Sequence, residues 1–225
     1  LLGKDNEASR GIVGSAADQH SAPYAMTEEF TAVYRMHPLL PDTVRIHALR
    51  KGEAETLDFV DVQGSKTRAL MKKHGFANVL YSLGIANPGA LRIRNYPNFL
   101  RQFQKDAPRN KPKPPLMDMA AIDIIRDRGR GLPRYNRFRG LVGKKRVTSF
   151  EEITSIPGIA EKMREIYKDV DRVDLLVGLM SEDLPEGFGF SDTAFRAFIL
   201  MASRRLKSDR FFTDDFRPEI YTELG

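Results

Sequence analysis

The sequence has no cysteine among its 225 residues. Disulfides and thiolate ligation of a metal are therefore excluded, and the absence fits a reducing compartment. No apolar run is long enough to cross a bilayer, and Leu1-Leu2-Gly3-Lys4 lacks the architecture of a signal peptide. An intracellular location is the expectation. The first residue is not methionine, so the true start is expected upstream. Phosphate-cradling loops and dinucleotide-binding glycine patterns are missing. No basic helix carries interleaved aromatics and no nucleic-acid motif occurs, so nucleic acid is not an expected partner. No internal repeat is found.

Hydrophobic residues make up 41% of the chain, enough for one good-sized core. Charged residues make up 29%, and the net charge is +6. That balance describes a solvated basic surface, or one that meets acidic ligands or an anionic membrane; peripheral membrane association is compatible with it.

The periodicity predicts a mainly α-helical chain. Residues 3–23 read as a surface loop, and 43–63 as one or two short strands. Residues 66–83 read as one helix, with Leu70, Met71, Phe76, Val79, Leu80 and Leu83 on an apolar stripe. A short helix is expected after Tyr96-Pro97, a proline-rich loop over 105–115, and helices over 116–128, after Leu132-Pro133, from Ser149 to Ile153, and over 161–167 and 170–180. Ser191 should cap a long helix ending near Lys207.

The most specific segment runs from Thr27 to Asp42. Thr27 with Glu28 and Glu29 makes a helix start, and Phe30, Val33, Tyr34 and His37 follow helical spacing. Tyr34 and His37 would then share a face. Pro38 should bend or end the helix there, because it lacks an N–H. On spacing alone a Tyr/His pair is ordinarily a packed pair. His20, His47 and His74 show no metal-ligand spacing and read as structural or solvated.

The string Glu29-Phe30-x-x-x-Tyr34-x-x-His37-Pro38-Leu39-x-Pro41-Asp42 resembles the proximal helix of the cyclooxygenases. With Pro23-Tyr24, Thr27-Glu28-Glu29-Phe30 and Tyr34-Arg35-Met36-His37 it looks like the fatty-acid alpha-dioxygenases, within the cyclooxygenase/animal-type haem peroxidase superfamily. The resemblance implies haem b as cofactor, His37 as proximal iron ligand, and Tyr34 as the radical that takes hydrogen from the substrate.

Two further blocks carry the same resemblance. Asp123-Ile124-Ile125-Arg126-Asp127-Arg128, followed by Gly131-Leu132-Pro133-Arg134-Tyr135-Asn136, is similar to a peroxidase segment. It implies that Arg126 binds a haem propionate and that Asp123 accepts the second N–H of the proximal histidine, in place of the family's asparagine. Local salt bridges are the alternative for both. Arg204-Arg205-Leu206-Lys207-Ser208-Asp209-Arg210-Phe211-Phe212-Thr213 is similar to a string shared by both branches, and implies that Arg205 anchors a fatty-acid carboxylate. An ion pair with Asp209 is the alternative. Asn95-Tyr96-Pro97 resembles a motif on the haem's proximal side and is expected to serve packing.

The resemblance thus implies a haem peroxidase-like helical catalytic domain, of which residues 1–225 form the proximal half, the distal half being absent. It implies fatty acid and dioxygen as reactants and 2-hydroperoxy fatty acids as products. A peroxidase of small donors and a non-catalytic haem-binding fragment are the alternatives. Calcium in the complete protein is compatible with the resemblance, its usual site lying outside this chain.

Overall fold

The computed structural model describes residues 14–18, 27–49, 52–104, 110 and 112–222. Most of the expected amino-terminal loop, with His20 and Pro23-Tyr24, lies outside them, as does much of 105–115. The chain divides into two compact units, residues 36–123 and residues 1–35 with 124–225. Among the described residues, no helix is long and apolar enough to cross a membrane.

Within residues 36–123, β1 (Thr43–His47) and β2 (Ala54–Asp58) form an antiparallel hairpin in which Thr43 faces Asp58 and His47 faces Ala54. The expected helix over 66–83 is two helices, α2 (Thr67–His74) and α3 (Phe76–Ile85). They part at Gly75, whose φ of +82° is closed to most side chains. The apolar stripe is not a core face either, since Phe76 and Leu83 are 63% and 73% exposed. What α3 buries is polar. The Ser82 hydroxyl accepts from the His47 amide at 2.8 Å, and Asn78 Oδ1 accepts from the Leu49 amide at 3.1 Å. These bonds satisfy one backbone donor at the end of the hairpin ladder and one just beyond it.

The segment after α3 closes around His37. Gly89 lies against Pro38 and Leu39 so tightly that a Cβ there would stand 2.5 Å from the Pro38 carbonyl oxygen. The expected short helix is one turn, α4 (Asn98–Arg101). Both carboxylate oxygens of Asp42 hold Asn98, by its amide at 2.8 Å and its side-chain nitrogen at 2.7 Å. Phe103 and Met117 exchange backbone hydrogen bonds of 3.0 and 2.8 Å across the proline-rich segment. Helix α5 (Met119–Gly129) starts on an Asp118 side chain that accepts from the amides of Ala120 and Ala121.

In the other unit, α1 (Glu28–Val33) packs on α9 (Asp192–Ser208) and α8 (Leu175–Ser181). The caps are those the sequence names: Thr27 Oγ1 accepts from the Phe30 amide, and Ser191 Oγ from the Ala194 amide. Helices α6 (Tyr135–Leu141) and α7 (Ile159–Tyr167) complete the bundle. Residues 149–153 form turns rather than the expected helix, with Phe150 and Ile153 buried by their packing. Tyr135 is fully buried. Its ring lies on Gly178 of α8, where a Cβ would stand 2.1 Å from the ring. Only glycine lets α6 and α8 approach this closely.

Two buried carboxylates tie this bundle. Glu182 accepts from the Tyr135 hydroxyl at 2.9 Å and from Lys144 at 3.0 Å, and Arg139 stands 3.3 Å away. Burial, then the Glu182 charge, pushes the Tyr135 hydroxyl far up. Asp174 takes Arg128 through both oxygens, at 2.8 and 2.6 Å, and also receives Arg134 and the Tyr167 hydroxyl. Burial pushes the Asp174 carboxyl up, but the Arg128 and Tyr167 hydrogen bonds and the two arginine charges outweigh it, and the net shift is downward. Burial, then the Asp174 charge, pushes Tyr167 up to about 12.

Candidate functional site

The Tyr34 to His37 segment is not one helical face. Helix α1 ends at Val33, Tyr34 is its C-cap, and His37 opens a separate 3-10 turn, His37–Leu39. The Tyr34 amide still donates to Phe30 at 2.9 Å, but the Arg35 amide already turns to Ala32 at 3.3 Å. Pro38 explains the break. It has no N–H for the Tyr34 carbonyl, and its ring disfavours helical backbone at His37. The chain ends the helix instead of kinking it.

Tyr34 is 56% exposed and lies among phenylalanines. Its ring centroid is 5.4 Å from that of Phe30 and 6.3 Å from that of Phe198, while Phe30 and Phe198 are 6.1 Å apart. These rings open onto a groove of about 560 Å³ lined by Phe30, Tyr34, Phe198, Ala202, Arg205 and Leu206, with Thr31 and Arg35. The lining is mainly apolar, yet it carries a phenol and the Arg205 guanidinium. Arg205 comes from the last turns of α9, far along the chain from Tyr34. A long apolar molecule ending in a carboxylate matches that combination.

His37 is half-buried, and its Nδ1 faces two partners. The Tyr96 hydroxyl is 3.2 Å from it, and Asp123 Oδ2 is 3.6 Å from it. The Tyr96 hydroxyl also donates to Asp123 Oδ2 at 3.4 Å. Asp123 is 2% exposed, in the second turn of α5. Direct contact between Asp123 and the imidazole is thus beyond hydrogen-bond length, and Tyr96 spans the gap. Sequence reasoning assigned Tyr96 to packing; the residues it joins are 59 and 27 positions away, separations that no periodicity reveals.

Arg126 sits in the last turn of α5, where Glu28 lies 3.8 Å from its guanidinium and also pairs with Arg130. The local salt bridge is therefore present. At that length, and with both side chains more than a third exposed, it is weak enough to yield to a stronger anion. His47 keeps a structural place through its backbone bond to Ser82, and His74 lies 3.7 Å from Glu55.

The animal haem peroxidase family model matches residues 1–225. The chain is 41% identical to alpha-dioxygenase 1 of Arabidopsis thaliana over 225 residues, covering 96% of this chain and 35% of that protein. Among solved structures, the fatty acid alpha-dioxygenase of Oryza sativa matches with a TM-score of 0.83 and 41% identity, over 95% of this chain and 36% of that one. A tyrosine-to-phenylalanine form of the Oryza sativa enzyme, solved with palmitic acid, matches with a TM-score of 0.83 and 40% identity, over 95% of this chain and 37% of that one. This chain spans about a third of the length of these relatives.

Proposed function

The chain belongs to the animal haem peroxidase family, and on that premise we propose that it is the proximal part of the catalytic domain of a haem-dependent fatty-acid alpha-dioxygenase. The observation that carries this reading is the groove shared by Tyr34 and Arg205. It offers an oxidisable phenol, a carboxylate anchor and an apolar wall in one place. A relative that binds palmitic acid supports a long saturated chain as substrate.

The residues present fit haem. His37 offers an imidazole whose Nδ1 is held by the Tyr96 hydroxyl, itself bonded to Asp123, so its other nitrogen is available to an iron. An imidazole fixed through one nitrogen by an acceptor group presents the other to a metal. His37 Nε2 would hold the iron, and Arg126 would hold a propionate in place of Glu28. When bound, the haem supplies the one-electron oxidation of the Tyr34 phenol.

The chain's own residues do the rest. Arg205 binds the fatty-acid carboxylate and fixes the adjacent α-carbon. Phe30 and Phe198 hold the Tyr34 ring and exclude water from the alkyl chain. The Tyr34 phenoxyl takes a hydrogen atom from the α-carbon and is restored as phenol; dioxygen adds to the carbon radical, and the peroxyl radical takes the hydrogen atom back from the Tyr34 phenol, giving the 2-hydroperoxide and regenerating the phenoxyl. Tyr34 and His37 are three residues apart, so their Cα atoms are separated by at most about 11 Å of extended chain, a short span for electron exchange.

The test is incubation of the complete, haem-loaded protein with palmitic acid and oxygen. The expected product is 2-hydroperoxypalmitic acid, with stoichiometric oxygen uptake. Oxidation of small phenolic donors by peroxide without fatty-acid oxygenation would instead support a peroxidase in which Tyr34 is not catalytic.

A further inference from the structure

We infer that Tyr96 is a positioning residue that relays the Asp123 carboxylate to His37 and thereby sets which imidazole nitrogen faces the iron. The inference rests on the reading of His37 as haem ligand.

An ionised carboxylate can only accept, and a phenol has a single O–H to give. Tyr96 gives its proton to Asp123 Oδ2, at 3.4 Å. Its oxygen then has only lone pairs for His37 Nδ1, at 3.2 Å, so Nδ1 must carry the hydrogen. The lone pair of the imidazole is thereby confined to Nε2. The direct route is too long to do the same, because Nδ1 and Asp123 Oδ2 are 3.6 Å apart. Bonds aligned in one direction reinforce each other. Both here are long, so the electron donation passed to the imidazole is weaker than that of a carboxylate in direct contact.

The surroundings hold the phenol in this place. Pro97 is fully buried, and the next residue, Asn98, is gripped twice by Asp42, five positions after His37. Gly89 lets its strand of chain lie on Pro38 and Leu39. Tyr96 is thus tied to the His37 turn through backbone that cannot shift alone.

The experiment is resonance Raman spectroscopy and redox titration of the complete, haem-loaded protein, with Tyr96→Phe, Asp123→Asn, the double variant and His37→Ala. Tyr96→Phe should keep its haem stoichiometry, bind haem about tenfold more weakly, lower the ferrous iron–histidine stretching frequency and raise the reduction potential. Asp123→Asn should shift frequency and potential the same way, and the double variant should match Tyr96→Phe, because Asp123 acts only through the phenol. An Asp123→Asn shift of equal size with and without Tyr96 would overturn the relay, as would an unchanged frequency and potential in Tyr96→Phe. If Tyr96→Phe does not fold, Asp123→Asn alone still tests the relay: an unchanged frequency overturns it. His37→Ala separates this from the premise. If it keeps the iron–histidine line, the ligand reading fails; if it loses the line while Tyr96→Phe leaves it unmoved, only the relay fails.

Discussion

Tyr34 and Phe198 stack with their ring planes 15° apart, one ring from the cap of α1 and the other from the middle of α9. The contact holds the phenol by its face and leaves its chemistry to its edge. Tyr34→Phe should preserve the stack, the fold and haem binding while lowering 2-hydroperoxide formation to background. Oxygen uptake at the wild-type rate by this variant would remove Tyr34 from the reaction.

Arg205 should act on substrate rather than on stability. It is exposed and has no core to lose. A hydrogen bond to a charged partner contributes about 1.5–3 kcal/mol, and exposure favours the lower end. Arg205→Ala should therefore raise KM for palmitic acid about tenfold, loosen the site of oxygenation along the chain, and leave the binding of the corresponding fatty alcohol unchanged. Steady-state kinetics and product analysis check this. Wild-type KM with the same single product would move the anchor to Arg204.

Gly178→Ala tests the packing beneath the site. The new methyl would meet the Tyr135 ring at 2.1 Å, and both belong to helices in a filled core. Over-packing of this severity should cost about 3 kcal/mol. Urea denaturation of the variant should show a lower midpoint with the same slope. A midpoint equal to wild type would mean that α6 and α8 separate more easily than their packing implies.

Acid should loosen the Asp174 cluster. Its carboxyl titrates below the ordinary range in the folded chain and near pH ~4 in the unfolded one. As pH falls through that window the unfolded state binds protons that the folded state still refuses, so stability declines; above it the contribution is complete. Asp174→Asn should lose about 2–3 kcal/mol at pH 7, less than a fully buried pair because Arg128 and Arg134 are half-exposed. It should then show a shallower further loss than wild type as pH falls below ~4. Parallel stability profiles for the two proteins would exclude Asp174 as a source of the acid sensitivity.

These cases also mark what could be read from sequence. Thr27 and Ser191 announce their helices because a cap is a local device, one side chain bonding an amide three residues on. The hairpin is legible because alternation is local too. The division of α2 from α3 is not, since the apolar spacing runs through Gly75 unbroken and only its positive φ separates them. The residue types at Tyr34, His37 and Arg205 single them out through resemblance, yet their shared helical face was an over-reading of spacing across Pro38. Asn95-Tyr96-Pro97 stands out by resemblance too, but the bonds of Tyr96 to His37 and Asp123 do not. These partners meet Tyr96 through the Asp42–Asn98 clamp and the Gly89 approach, which are properties of chain routing rather than of any window of residues.

The Phe103–Met117 bridge bears on how this protein can vary. Its paired hydrogen bonds fasten the chain on either side of residues 104–116, so the separation of those two anchors does not depend on what lies between them. Lengthening such a closed loop adds only slowly to its entropic cost, about 0.6 kcal/mol per doubling. The segment can therefore gain or lose residues, or accept an inserted tag, while α4 and α5 keep their register and Tyr96 and Asp123 their spacing from His37.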